Sequence, residues 1–184
     1  MDPIGKVFAP LLGLPAWNSQ TGDGWYVTVE FGEPSLEIGE VRESPLHLEG
    51  APNLRLRRPI WLNGQWGLAI SSDDFALLLD DVQIAGSSSS RVQLDAALHR
   101  VLNGQALTSV HFDPITSSTN FTFDLGGTFR TLPNSTPTTE PEEQWTLSEP
   151  SGDWFVVNDA GQYSHHAGST KPDEVVWHPL TRQP

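Results

Sequence analysis

Apolar and polar residues alternate along much of the chain with a period of two, which is typical of half-buried β-strands. In the first such stretch Trp25, Val27, Val29 and Phe31 alternate with polar or amphipathic neighbours. Turn residues such as Gly, Pro, Asn, Asp and Ser separate the stretches from one another. Further strands are predicted near 36–38, 54–57, 60–62, 65–70, 75–79, 106–112, 120–124, 128–132, 145–148, 154–157 and 162–163.

One segment repeats instead with the period of an α-helix. Its apolar residues recur at i, i+3, i+4, i+7 and i+8, and Ser90 with Gln93 forms a capping box at its start. The pair Asn103-Gly104 ends it, because both residues adopt the left-handed conformation readily. The pattern predicts a helix over about 91–102, with its apolar face formed by Leu94, Ala97, Leu98, Val101 and Leu102.

A shorter helix is predicted at the N-terminus. Asp2 is a favourable N-cap, Pro3 suits the first helical position, and Pro10 ends the helix near Ala9. Together these patterns predict a β-rich α+β fold, with a mostly antiparallel sheet, the 91–102 helix packed on it and a short N-terminal helix.

Two glycine turns give sharper predictions. Asn63-Gly64 between apolar runs is the strongest short hairpin signal, and a two-residue loop there sets Trp61 opposite Trp66. Alternatively, Gly64 opens the next strand. At Gly126-Gly127, a three-residue loop over 125–127 pairs Phe123 with Phe129 and gives Gly127 a positive φ.

The length and composition favour a single domain over residues 1–184. The serine-rich connection 86–90 is the place where a subdivision would fall. The proline- and glutamate-rich stretch 133–143 is predicted to be an exposed loop, and 165–184 an irregular tail without a period.

The charge and cysteine counts exclude several function classes. Asp and Glu number 23 against 10 Lys and Arg, which gives a net charge of −13, and no cysteine is present. Disulfides, zinc–thiolate sites and thiol nucleophiles are therefore ruled out. The acidity disfavours nucleic acid and anionic membranes as partners. The apolar stretch 7–16 lacks a basic flank and contains two prolines, so a cytoplasmic location is expected.

Three short motifs carry a resemblance to a known group of proteins. They are the helix end Leu102-Asn103-Gly104-Gln105-Ala106-Leu107, the strand Phe121-Thr122-Phe123-Asp124-Leu125-Gly126, and Trp145-Thr146-Leu147 with Pro150. The segment 94–163 resembles small bacterial domains of unknown function, some of which are thought to be immunity proteins of toxin systems. The resemblance implies a toxin-like protein partner and transfers no catalytic residue.

Histidines and carboxylates offer only poor metal-ligand spacing. His111 and Asp113 lie two residues apart on one strand face, whereas His165 and His166 are adjacent. Adjacent residues of an extended chain point to opposite sides, so both histidines rarely bind one ion. No metal and no cofactor is predicted, and a metal-dependent hydrolase ranks third among the interpretations.

Catalytic motifs for other chemistries do not stand out. A Gly-x-Ser-x-Gly nucleophile turn is absent, and Gly126-Gly127 has neither a lysine nor a following helix to bind phosphate. Paired carboxylates such as Asp73-Asp74 are adjacent, whereas a glycosidase pair must face across a cleft. The interpretation therefore leans toward a protein that is not an enzyme.

The strongest directional signal is electrostatic. No positive side chain occurs between Arg130 and Lys171, whereas acids are frequent there. The main expectation is a non-catalytic, immunity-like domain that binds a basic protein. The alternative is a carbohydrate-binding module that uses exposed residues among its 7 tryptophans. The oligomeric state is left open. The predicted partner-binding residues are Glu140, Glu142, Glu143, Trp145, Glu149, Trp154 and Asp159.

Overall fold

The computed structural model of the protein describes residues 2–22, 26–44, 55–133 and 141–180, without the side chains of 42–44 and 55–57. Strands dominate, and every strand pairing among these residues is antiparallel, so the predicted β-rich α+β class is confirmed. The helices are α1 (Pro3–Phe8) and α2 (Arg91–Val101), and the strands are β1 (Ala16–Thr21), β2 (Val27–Phe31), β3 (Ser35–Ile38), β4 (Arg42–Ser44), β5 (Arg55–Arg57), β6 (Ile60–Asn63), β7 (Trp66–Ile70), β8 (Asp74–Leu79), β9 (Val82–Gly86), β10 (Leu107–Asp113), β11 (Ser118–Phe123), β12 (Gly127–Leu132), β13 (Glu143–Ser148), β14 (Asp153–Asn158), β15 (Gln162–Ala167) and β16 (His178–Pro179).

Two large sheets enclose the core. The seven-stranded sheet has the order β1-β2-β7-β13-β14-β15-β16, and the five-stranded sheet the order β10-β11-β12-β8-β9. Between them, the buried ring of Trp145 meets Phe121 and Phe8 edge-on, at centroid distances of 5.6 Å each. The Trp145 Nε1–H donates to Thr119 Oγ1 at 2.9 Å, which satisfies the indole inside the core.

Helix α2 forms where the capping pattern predicted it. The Ser90 side chain accepts from the Gln93 backbone N–H, and the Gln93 side chain accepts from the Ser90 N–H. The buried side chains of Leu94, Leu98 and Val101 face the core, and the helix packs against β1, β8 and β9. The predicted helix over 91–102 is confirmed, with Leu102 as its C-cap.

Helix α1 is also confirmed. The Asp2 carboxylate accepts from the Ile4 N–H at 3.1 Å, and Pro3 occupies the first turn. A 3-10 turn over Ala9–Leu11 follows instead of a further α-helical turn, because Pro10 lacks the N–H that an α-helix would use. Phe8 is buried and packs against the core aromatics.

A two-stranded ribbon leaves the sandwich between β2 and β7, and it overturns the Asn63-Gly64 hairpin. We call residues 35–44 and 55–63 the ribbon, in which β3 pairs with β6 and β4 with β5. Trp61 therefore lies opposite Glu37, and Trp66 lies opposite Phe31, so the predicted Trp61–Trp66 pair is wrong. A Cβ on Gly64 would come within 2.5 Å of the Phe31 carbonyl oxygen. Gly64 is needed for this close approach rather than for a turn with positive φ.

The turn between β11 and β12 differs from its prediction by a shift of register. Phe121, not Phe123, pairs with Phe129, and Gly126 rather than Gly127 has the positive φ, +86°. The three phenylalanines are all buried, so the apolar face is kept intact. Gly127 serves a different purpose, since a Cβ there would lie 2.8 Å from the Val101 carbonyl oxygen.

The C-terminal part of the chain contains more regular secondary structure than its lack of hydrophobic periodicity predicted. Residues up to Ala167 continue β15, and His178–Pro179 pairs with the start of the same strand. The predicted irregular tail from residue 165 is wrong at these positions, because pairing with β14 holds a strand whose side chains are not regularly apolar.

The serine-rich connection 86–90, where a subdivision would fall, has residues of the same hydrophobic core on both sides. Leu77 precedes it and Leu98 follows it, and both belong to one core. Most of the predicted 133–143 loop lies outside the described residues.

Candidate binding groove beside the ribbon

A groove lies between β6 of the ribbon and the outer face of β1 and β2. Val27, Val29 and Phe31 point inward from β2, so Thr28 and Glu30 point outward into this groove. Its volume is about 630 Å³, which falls in the range of small-ligand pockets. The polar side chains that line it are Asn18, Gln20, Thr21, Thr28, Glu30, Asn63 and Arg91, and the aromatic ones are Tyr26 and Trp61.

Trp61 forms the aromatic edge of the groove. Its side chain is 41% exposed although it lies on a paired strand. A Cβ on Gly39 would come within 2.8 Å of the indole Cζ3, so the ring rests against the Gly39 backbone. The ring thus has the Gly39 backbone on one side and also lines the groove, where a flat aromatic surface can stack on a ligand.

Glu30 supplies a carboxylate within the groove. Its Oε2 accepts from the Gly64 N–H at 2.9 Å, which ties the outer face of β2 to the end of the ribbon. Burial raises the pKa of Glu30, and the hydrogen bond from Gly64 only partly opposes this change. A carboxylate that has lost part of its water shell is a strong acceptor for hydroxyl or amide donors of a ligand.

Arg91 is fixed at the end of the groove by β1. Its Nε donates to Thr21 Oγ1 at 3.0 Å and its Nη2 to the Thr21 carbonyl oxygen at 3.1 Å. Asp95 Oδ1 in turn accepts from Thr21 N at 2.9 Å and Thr21 Oγ1 at 2.7 Å. Desolvation acts to raise the pKa of Asp95, but these hydrogen bonds and the charges of Arg91 and His99 lower it overall. The network joins α2 to β1 and positions the guanidinium.

A backbone irregularity in β1 also faces the groove. Asn18 has φ of +50°, and the pairing of β1 with β2 shifts register between Trp17 and Gln20. Such bulges re-aim side chains and occur often beside binding sites. Asn tolerates the left-handed conformation better than most residues. The bulge places the Asn18 and Gln20 side chains along one wall of the groove.

The predicted acidic surface is divided between two ends of the β13–β14 hairpin. Glu142, Glu143 and Asp159 lie at one end, where Asp159 Oδ1 accepts from the Glu142 N–H at 3.0 Å. Glu149 and Trp154 lie at the other end, beside the turn. Glu140 lies outside the described residues. The described acids therefore do not form one continuous patch.

The two tryptophans of that surface have opposite environments. Trp154 is 42% exposed, whereas Trp145 is fully buried. The prediction that Trp145 contributes to a partner-binding surface is wrong, because its side of β13 faces the five-stranded sheet. Alternation alone assigned Trp145 to a strand without showing which layer covers it.

The four metal candidates lie on two strands, His111 and Asp113 on β10 and His165 and His166 on β15. Asp113 accepts from Ile115 N and from Thr116 Oγ1, each at 2.9 Å, and these bonds lower its pKa. His165 Nε2 lies 2.6 Å from Glu149 Oε1, whereas His166 Nδ1 bonds to Ser164 Oγ at 3.0 Å. No cluster of three or more His, Asp or Glu suited to a metal occurs in the part of the chain that the structure describes.

Most groove residues were not predicted from the sequence. Asn18, Glu30, Trp61 and Arg91 come from four separate elements, and only the abundance of tryptophan hinted at a stacking platform. Among the described residues no helix is long and apolar enough to cross a bilayer. Comparisons of the chain with protein-family models, curated proteins and solved structures found no match.

Proposed function

We propose that this chain is a non-catalytic carbohydrate-binding domain and that the groove beside the ribbon holds the sugar. The observation that carries this proposal is the accessible indole of Trp61 at the edge of a groove lined by amide, carboxylate and guanidinium groups. Sugars present apolar C–H faces that stack on flat rings, and hydroxyl groups that donate and accept hydrogen bonds. The groove offers both kinds of contact.

The proposal of binding rather than hydrolysis is supported by the acids that line the groove. Glu30 is the only carboxylate among the described residues that line it. Glycoside hydrolysis requires, in most families, two carboxyl groups on opposite sides of the scissile bond. A single acceptor is sufficient to bind hydroxyl groups, and the planar amides of Gln20 and Asn63 extend the set of donors and acceptors.

The proposal can be tested by affinity electrophoresis in gels that contain neutral soluble polysaccharides, with a panel of xylan, mannan, β-glucan and starch. At least one polymer should retard the wild-type protein. Trp61→Ala should remove the retardation because the stacking platform is lost. Trp154→Ala is the matched control, since its indole is 42% exposed but lies outside the groove. Equal retardation of both variants, or none of the wild type, would contradict the proposal.

A second measurement separates stacking from hydrogen bonding. Glu30→Gln keeps the shape of the groove but replaces a carboxylate by a weaker acceptor, so calorimetric titration with oligosaccharides of the retained polymer should show weaker affinity by about tenfold. Glu33→Gln, at an exposed position outside the groove, should leave the affinity unchanged. An unchanged affinity in Glu30→Gln would show that the carboxylate does not take part in sugar binding.

Recognition of a protein partner is the second candidate function, and one face of the ribbon favours it. The cross-strand pairs Leu36–Leu62 and Ile38–Ile60 lie on one face, and their side chains are between 48% and 62% exposed. Contiguous exposed apolar side chains are typical of interaction surfaces. The divided acids of the β13–β14 hairpin would then serve mainly to attract a basic, toxin-like partner.

The partner hypothesis is tested with the double variant Leu36→Ser/Ile38→Ser, which changes two exposed residues of β3 that do not line the groove. A basic protein that binds the wild type should dissociate at least tenfold faster from this variant, because apolar contacts govern the off-rate. The control Val82→Ser changes another apolar residue, 64% exposed, at the edge strand β9. Equal off-rates for the two variants would exclude the ribbon as the docking surface.

A further inference from the structure

A second cleft lies on the opposite side of the seven-stranded sheet, between α1 and the strands β14 to β16. The seven-stranded sheet is wider than the five-stranded one, and α1 packs beside β10, the edge strand of the smaller sheet. Helix α1 thus extends the second layer over β14 and β15 but leaves a cleft of about 410 Å³ between Val7 and Tyr163. We propose that this cleft binds a small aromatic carboxylate.

Stacked rings lead from the core into the cleft. Trp145 stacks on Phe155 at a centroid distance of 5.8 Å, and Phe155 stacks on Tyr163 at 5.2 Å with only 12° between their planes. His178 then lies over Tyr163 at 5.5 Å. The inner rings are buried and the outer ones reach the cleft, so a planar ligand meets aromatic surface that is already ordered.

Lys6 supplies the charge that selects an anion. It lies on α1 at the edge of the cleft and makes no ion pair with any residue that the structure describes. Glu149, the acid that also lines the cleft, is already engaged, since its Oε1 lies 2.6 Å from His165 Nε2. The ammonium group of Lys6 is the lysine charge at the edge of the cleft, and a ligand carboxylate is its complement.

The ring and the charge together define the ligand class. An aliphatic anion would make no aromatic contact with Tyr163 and His178 at the outer end of this stack, and a neutral aromatic compound would leave Lys6 without a counterion. A monocyclic or bicyclic aromatic acid satisfies both and fits the volume. The cleft shares no residue with the groove beside the ribbon, so this proposal does not depend on carbohydrate binding.

The test uses two isosteric probes, benzoate and benzamide, titrated into the ¹⁵N-labelled protein up to the limit of solubility. Benzoate should shift amide resonances of α1 and β15 and bind about tenfold more tightly than benzamide. Lys6→Gln should reduce benzoate affinity about tenfold and leave benzamide affinity unchanged. Lys171→Gln, at an exposed lysine outside the cleft, is the matched control.

Three outcomes would overturn the proposal: no benzoate shifts in the cleft, equal affinities for benzoate and benzamide, or the same benzoate affinity in Lys6→Gln and Lys171→Gln. Tyr163→Leu gives an independent check on the aromatic contact, since both probes should bind more weakly to that variant. Neither lysine variant should alter retardation by polysaccharides, so failure at one site is distinguishable from failure at the other.

Discussion

Trp145 and Trp61 occupy strands with similar sequence patterns but lie in contrasting environments. Trp145 sits between the two sheets, touches three aromatic rings and donates its indole N–H to Thr119. Trp61 lies on the two-stranded ribbon, is 41% exposed and rests on the backbone of Gly39. Alternation identifies a strand in both cases, but the presence of a second layer decides whether an aromatic side chain stabilises the fold or faces a ligand.

The same contrast applies to the polar groups around each indole. Near Trp145, the buried side chain of Gln144 donates to Ser117 O and accepts from Thr131 Oγ1, so the interior polar atoms are used within the fold. In the groove, Glu30 receives one backbone hydrogen bond and keeps a raised pKa. The core region is organised for stability, whereas the groove retains polar capacity that a ligand can use.

The largest expected effect is at Trp145. Trp145→Ala should lower the free energy of unfolding by roughly 3–5 kcal/mol, because it leaves a cavity between the sheets and a Thr119 hydroxyl without its donor. Trp145→Phe should lose about 1–3 kcal/mol, since it keeps a ring but removes the hydrogen bond. Urea denaturation checks both values, and a loss below about 1 kcal/mol in the Ala variant would contradict the packing of Trp145 between the sheets.

The next effect concerns the network that positions Arg91. Asp95→Ala should lower the free energy of unfolding by about 1–2 kcal/mol at pH 7, because Thr21 loses two hydrogen bonds. The pKa of Asp95 is lowered from 3.8, so its contribution is present above that pH and is lost as pH falls through the lowered value. Asp73→Ala, at an exposed turn position, is the control. A difference between the variants that persists unchanged to pH 2 would contradict the assignment.

Local signals explain what the sequence predicted correctly. The capping box of Ser90 and Gln93 and the Asp2 cap act within one turn of helix, so both helices were identified with their ends. Asn63-Gly64 failed because its glycine is required by the backbone of Phe31, a residue more than thirty positions away in the chain. The adjacent residues Gly126 and Gly127 are needed for different reasons, a positive φ at Gly126 and a close approach to the Val101 carbonyl oxygen at Gly127. The sequence pattern alone does not show which glycine meets which requirement.

The candidate site was largely beyond prediction for a related reason. The groove depends on the ribbon lying beside β1 and β2, and the ribbon exists because β3 pairs with β6 rather than returning along β2. Arg91 reaches the same groove from α2 through Thr21. The acidic stretch was visible in the sequence, but its division between two ends of a hairpin required the register of β13 with β14.

A smaller change is expected when Glu30 is replaced, and it increases the free energy of unfolding rather than decreasing it. The pKa of Glu30 is raised from 4.5, so the folded state loses stability as pH rises from about 4.5 through the raised value. Glu30→Gln should therefore raise the free energy of unfolding at pH 7, by less than about 1 kcal/mol for a half-buried group, and the gain should vanish below pH 4. Denaturation at several pH values, with Glu33→Gln as control, measures this. Destabilisation at pH 7 would show that the carboxylate serves the fold rather than the groove.

The smallest effect is expected when the substitution made at Trp145 is repeated at Trp61. Trp61→Phe should change the free energy of unfolding by no more than about 0.5 kcal/mol, because much of the indole is exposed and a phenyl ring still rests against Gly39. Trp154→Phe, with nearly the same exposure on strand β14 of the seven-stranded sheet, should behave alike. Urea denaturation of the three Phe variants compares the two regions directly. If Trp61→Phe lost as much stability as Trp145→Phe, the Trp61 indole would be a structural support, and its role as an accessible stacking surface would fail.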